Sequence, residues 1–91
     1  MEENYYVSRD IYLATSLVTL KFPLIKIDYQ IEGTRRLPVG YFSFENTTEL
    51  VKTEKQYWQG TLLVEPRAFV NNLRSLKSRV TNTYKSPSEG Y

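Results

Sequence analysis

The sequence predicts a small single domain of the α+β class, in the order helix, β-hairpin, helix, short strand, helix, with an antiparallel sheet covered on one face by helices. Three observations carry this. A period of two runs through Ile25, Ile27, Tyr29 and Ile31, with Lys26, Asp28, Gln30 and Glu32 between them. A second strand-forming run, Val39-Gly40-Tyr41-Phe42-Ser43-Phe44, follows a glycine- and proline-containing connection. On either side of this pair, apolar residues recur at intervals of three and four, the spacing of a helix with one buried side.

Taken in order, Tyr5, Tyr6 and Val7 form either a short strand or a staple on the approach to the first helix. Ser8 suits the N-cap and Asp10 the first turn, where a carboxylate is favoured by unpaired amides and the helix dipole. Ile11, Ala14, Leu17 and Val18 then set a helix from about Arg9 to Leu20, closed by Pro23. In the hairpin, the connection Glu32 to Pro38 has Gly33 for a positive φ, and Phe42 and Phe44 share the face that meets the isoleucines, leaving Tyr41 and Ser43 on the other. Gly40 marks a bulge or a close backbone approach.

Asn46-Thr47-Thr48-Glu49 has the form of a capping box, so a second helix starts there, and Gly60 supplies the left-handed residue that stops it. Leu62 to Val64 makes a short edge strand or an extended packed link. Pro66 opens a third helix, because its missing amide would have had no partner in a first turn. Phe69, Leu73, Leu76 and Val80 give that helix a narrow apolar stripe ending near Thr81 to Thr83. The domain therefore spans residues 1–83, and the polar tail 84–91, with Pro87 and Gly90, is expected to be disordered. The expected core is Ile11, Ala14, Leu17, Ile25, Ile27, Phe42, Phe44, Leu50, Trp58, Phe69, Leu73 and Leu76.

Composition bounds the chemistry. A chain of 91 residues buries only roughly 60 to 65 per cent of its unfolded surface, which makes the core thin. It has no cysteine and no histidine, which removes disulfides, thiolate nucleophiles, imidazole bases and the common zinc ligand sets. Asp10, Asp28, Glu45, Glu49 and Glu54 are the acids that would have to pair for carboxylate catalysis, and a thin domain offers them little concavity. No phosphate-binding glycine loop, serine elbow or metal-ligand spacing occurs, so neither an enzyme nor a cofactor is expected. Met1-Glu2-Glu3-Asn4 lacks the following apolar segment of a signal peptide, and no apolar run approaches the ~18 residues of a membrane span. A soluble, cytoplasmic protein with no membrane partner is expected.

The net charge is only +2, but its distribution is uneven. Pro66 to Ser88 carries five bases and no acid, whereas the preceding 65 residues carry nine acids against seven bases. Arg67, Arg74 and Lys77 fall on one side of the third helix, and Arg79 projects elsewhere. Such a row suits successive phosphates, with Arg35 and Arg36 of the hairpin connection as an extension. It also suits an acidic protein surface, or a solvated face whose bases favour the helix carboxyl end.

The order Asp10-x-Tyr12-Leu13-Ala14, Phe42-x-Phe44-Glu45, Tyr57-Trp58-x-Gly60, Val64-x-Pro66-x-x-Phe69 and Leu73-x-x-Leu76-Lys77 resembles a family of short uncharacterised bacterial proteins. The resemblance covers roughly Val7 to Val80, and its most specific part is the Trp58 to Phe69 stretch. It implies a folded domain of bacterial or mobile-element origin, with no activity to transfer. The connection from Thr34 to Pro38 departs from it in length.

Two functions fit these features. One is a nucleic-acid accessory module using Arg67, Arg74, Lys77 and Arg79, with Arg35 and Arg36. The other is a protein-interaction or self-associating module using Tyr41, Tyr57 and Trp58, since tyrosine and tryptophan dominate interface hot spots. Gly40 to Phe44 also bears a faint likeness to the base-stacking strand of RNA-recognition domains, but only Tyr41 faces outward from it. A helix-turn-helix over Thr47 to Val80 would need a shorter turn than Gln59 to Glu65.

Overall fold

The computed structural model describes residues 4–31 and 39–84; the predicted connection 32–38, with Arg35 and Arg36, lies outside them, as does the predicted tail 84–91 except for Tyr84, which belongs to the last helix instead. The elements are β1 (Tyr5–Ser8), α1 (Ile11–Thr19), β2 (Leu24–Gln30), β3 (Val39–Glu45), α2 (Thr48–Gln59) and α3 (Pro66–Tyr84). The sheet order is β1-β3-β2, both pairings antiparallel, so β1 and β2 run parallel and α1 carries the chain across between them. Leu13, Ala14 and Leu17 of α1, Leu50 of α2, and Leu76 and Val80 of α3 form one core cluster with Phe42 and Phe44. All three helices therefore cover the phenylalanine face of the sheet, and among the described residues no helix lies on the opposite face.

Of the two alternatives the sequence left open at Leu62 to Val64, a short edge strand or an extended packed link, the structure has the link. Thr61 to Glu65 forms an extended link with no strand, in which Leu62 and Val64 are half-buried and Leu63 is 85% exposed. Tyr5 to Ser8 takes the place beside β3 instead, with Tyr6 opposite Phe44 and Ser8 opposite Phe42.

Helix ends follow from local chemistry. The cap of α1 is Asp10, not Ser8: its Oδ1 accepts from the amides of Tyr12 at 2.9 Å and Leu13 at 3.2 Å. Ser8 ends β1, and its hydroxyl accepts from the Asp10 amide at 3.0 Å, which fixes the turn between strand and helix. At the far end the Phe22 amide donates to the Leu17 carbonyl and the Lys21 amide to that of Val18, a Schellman closure that stops the helix before Pro23. Its left-handed position is filled by Lys21, at φ 77°. The same closure ends α2, where Thr61 donates to Gln56 and Gly60 to Tyr57, with Gly60 at φ 78°. The cap of α2 is Thr47, one residue after the predicted Asn46, with its Oγ1 accepting from the Leu50 amide at 3.1 Å. Glu49 then lies in the first turn, too early to complete a capping box. For α3 the Glu65 carboxylate accepts from the Ala68 amide at 2.6 Å, beside Pro66.

Two expected core residues are at the surface. A bulge between Leu24 and Lys26 takes Ile25 out of the ladder, so that Leu24, Ile27 and Tyr29 meet Phe44, Phe42 and Gly40 while Ile25 is 45% exposed. Trp58, the second, is 61% exposed. Ile11 and Ile27 pack partly buried against the core, Phe69 and Leu73 are half-buried, Val80 of the predicted apolar stripe reaches the core, and Leu13 joins it unpredicted. Gly40 is a close approach: a Cβ there would lie 2.9 Å from Val80 Cγ2 and 3.0 Å from the Phe42 ring, so the carboxyl-terminal part of α3 sits directly on β3. Buried hydroxyls in α1 are satisfied within the helix, Thr15 donating to the Ile11 carbonyl and Ser16 to that of Tyr12. Thr19 accepts from Asn72 Nδ2 at 3.1 Å, tying α3 to α1.

Candidate nucleic-acid interface

Helix α3 runs 19 residues without an acid, and its apolar stripe of Leu73, Leu76 and Val80 turns the other side to solvent. Arg67, Arg74, Lys77 and Arg79 are all exposed. Among the described residues none of the four has an ion-pair partner, whereas exposed Lys26 on β2 is paired with Asp28 at 3.7 Å. At about 100° and 1.5 Å per residue, Arg67, Arg74 and Lys77 occupy a sector of roughly 80° and about 15 Å of helix length. Arg79 lies about 140° round from Arg74 and belongs to a different surface. Exposed Asn71, Ser75, Ser78 and Asn82 place uncharged donors and acceptors beside the row, and Val70, 42% exposed, lies within its sector. No base lies in the last turn of α3, so the row is not there to offset the helix dipole.

The predicted aromatic anchors are separated. Tyr41 lies half-buried on the helix-free sheet face, with the Arg9 guanidinium 5.7 Å from its ring centroid. Tyr57 packs partly buried against the core, edge-on to the exposed Trp58 with ring centroids 4.9 Å apart. What fixes this pair is a set of carboxylates. Glu54 Oε2 accepts from the Trp58 indole at 3.2 Å, and the Glu54 charge also acts on the Tyr6 phenol of β1. Asp10, already the cap of α1, is close enough for its charge to act on the Tyr57 phenol of α2. Burial, then Glu54, push the Tyr6 phenol up to about 12, and burial, then Asp10, raise that of Tyr57. The spacing of Glu54 and Trp58, one helical turn apart, was the sequence signal for the first of these contacts.

Of the acids weighed above for catalysis, Asp10 caps α1, Asp28 pairs with Lys26 and Glu54 accepts from the Trp58 indole. Among the described residues no three acidic side chains gather where a metal ion could be held. The concavities are open grooves, one of them between the start of β1 and α2, edged by Asn4, Asn46, Thr47, Lys52 and Lys55. No helix of the described residues is long and apolar enough to cross a membrane.

Comparison with protein-family models, curated proteins and solved structures finds no match to this chain.

Proposed function

We propose that the protein is a small non-catalytic binding module of the cytoplasm whose third helix contacts the phosphate backbone of nucleic acid through Arg67, Arg74 and Lys77. One observation carries the reading: α3 presents these cations exposed, without ion-pair partners among the described residues, on a helix that has no acid and no base in its last turn. Cations held in this way release condensed counterions when they meet phosphates, which makes binding sequence-tolerant and salt-dependent. Three contacts give a slope of log affinity against log salt of about −2.7 on duplex DNA and about −2 on single strands. The double variant Arg74→Ala/Lys77→Ala should weaken binding to every sequence alike and leave a slope of about −1. An unchanged slope in that variant removes α3 from the interface.

A second reading rests on Trp58 and Leu63, large apolar side chains exposed on either side of Gly60, which suit a protein partner. Trp58→Ala would then abolish capture of that partner and leave nucleic-acid binding untouched.

A further inference from the structure

Two adjacent asparagines of α3 are used differently. Asn72 is half-buried and donates to Thr19 of α1. Asn71 is exposed, and its side chain makes no hydrogen bond among the described residues. Beside it Val70 is 42% exposed, an apolar side chain among polar ones for which phosphate contacts have no use. At about 100° and 1.5 Å per residue, Arg67 and Arg74 stand about 10.5 Å apart along the axis and point in nearly one direction. Val70 and Asn71 lie between them, about 50° to either side of that direction. Leu76, buried in the core, is on the opposite side of the helix. Two short side chains are thus bracketed by long cationic ones where α3 is turned furthest from the core.

We infer that this side of α3 lies in the major groove of duplex DNA and that Asn71 and Val70 read A·T base pairs there, an inference that rests on the phosphate contacts proposed above. The bracket matches a groove about 12 Å wide: with α3 laid across it, Arg67 reaches the phosphates of one strand, and Arg74 with Lys77 those of the other. The carboxamide of Asn71 suits adenine, its NH2 donating to N7 and its oxygen accepting from the N6 amino group. Val70 suits the apolar C5-methyl group of thymine. Other nucleic acids fit this face less well. The major groove of A-form RNA is too deep and narrow for side chains to read, and single strands are held by stacked aromatic rings. From Arg67 to Asn82 the exposed side of α3 carries no aromatic ring, Phe69 being half-buried with the apolar stripe. Asn71 and Val70 therefore add a sequence preference to a phosphate term that is itself indifferent to sequence.

Fluorescence anisotropy of the full chain tests this with labelled single-stranded DNA and with duplexes of A·T pairs only and of G·C pairs only, at low and near-physiological salt. Further A·T duplexes carry 7-deazaadenine for adenine or uracil for thymine. The A·T duplex should bind about tenfold or more tighter than the G·C duplex, and 7-deazaadenine, which lacks N7, should remove most of that margin. Uracil should weaken binding about threefold for want of the methyl contact. Asn71→Ala should lose most of the A·T margin while keeping the wild-type salt slope, and Val70→Ala should become insensitive to uracil. Equal affinity for the two duplexes at a steep salt slope, or tighter binding to the single strand, overturns the inference and leaves the phosphate contacts standing. An A·T margin that survives 7-deazaadenine or Asn71→Ala places the readout elsewhere and overturns it too. Absence of binding to every probe at low salt overturns both.

Discussion

At the scale of single residues, the two helix ends that share one closure make a controlled comparison. Gly60 holds its left-handed conformation without a Cβ to oppose it, while Lys21 holds the same conformation against steric strain. Lys21→Gly should therefore stabilise the fold by about 0.5 to 1 kcal/mol, and Gly60→Ala destabilise it by about 1 kcal/mol, both read from urea unfolding. Trp58 gives a sharper contrast with expectation. A lone tryptophan in a thin domain reads as core from composition, but Glu54 one turn earlier holds its indole N–H at the surface. Trp58→Ala should thus cost less than about 1 kcal/mol, against about 2 to 5 for Leu50→Ala in the core. Tyr6 carries a pH signature. Its phenol is pushed up to about 12 from an ordinary 10.0, so the folded state holds that proton more tightly than the unfolded chain. The stability this contributes is complete below pH 10 and is lost as pH rises toward about 12. In Tyr6→Phe, unfolding followed against pH should lose that part of the alkaline fall.

At the scale of elements, what was legible depended on whether the signal was local. The three helices and the hairpin strands were readable because periodicity, Gly60 and Pro66 act within a few residues of where they stand. The strand β1 was left open between strand and staple, since four residues are too few for a period and its pairing partner, Glu45 to Phe42, lies about 40 residues away. The bulge at Ile25 was hidden for the same reason: an uninterrupted alternation of isoleucines in the sequence does not show where the ladder slips. Gly40 was legible as a bulge or close approach, and only the packing of Val80 decides for the second. Gly40→Ala should cost about 1 to 3 kcal/mol by forcing α3 off β3, measurable as a lower denaturation midpoint with unchanged slope.

At the scale of the whole molecule, the helices gather on one side of the sheet and place α3 where its solvent side is free to meet a partner. The bases of that side were named from charge distribution alone, because helical spacing sorts Arg67, Arg74 and Lys77 from Arg79 without knowledge of the fold. The separation of Tyr41 from Tyr57 and Trp58 was not legible, since it depends on which sheet face the helices cover. Arg74→Ala/Lys77→Ala changes exposed side chains only and should leave stability within about 0.5 kcal/mol, so lost binding in that variant reports on the interface rather than the fold. The decisive measurement is fluorescence anisotropy of labelled single-stranded DNA, duplex DNA and RNA titrated with the protein at low and near-physiological salt. Micromolar binding that weakens steeply with salt is the predicted result; absence of binding to all three at low salt would contradict the assignment of α3 to nucleic acid.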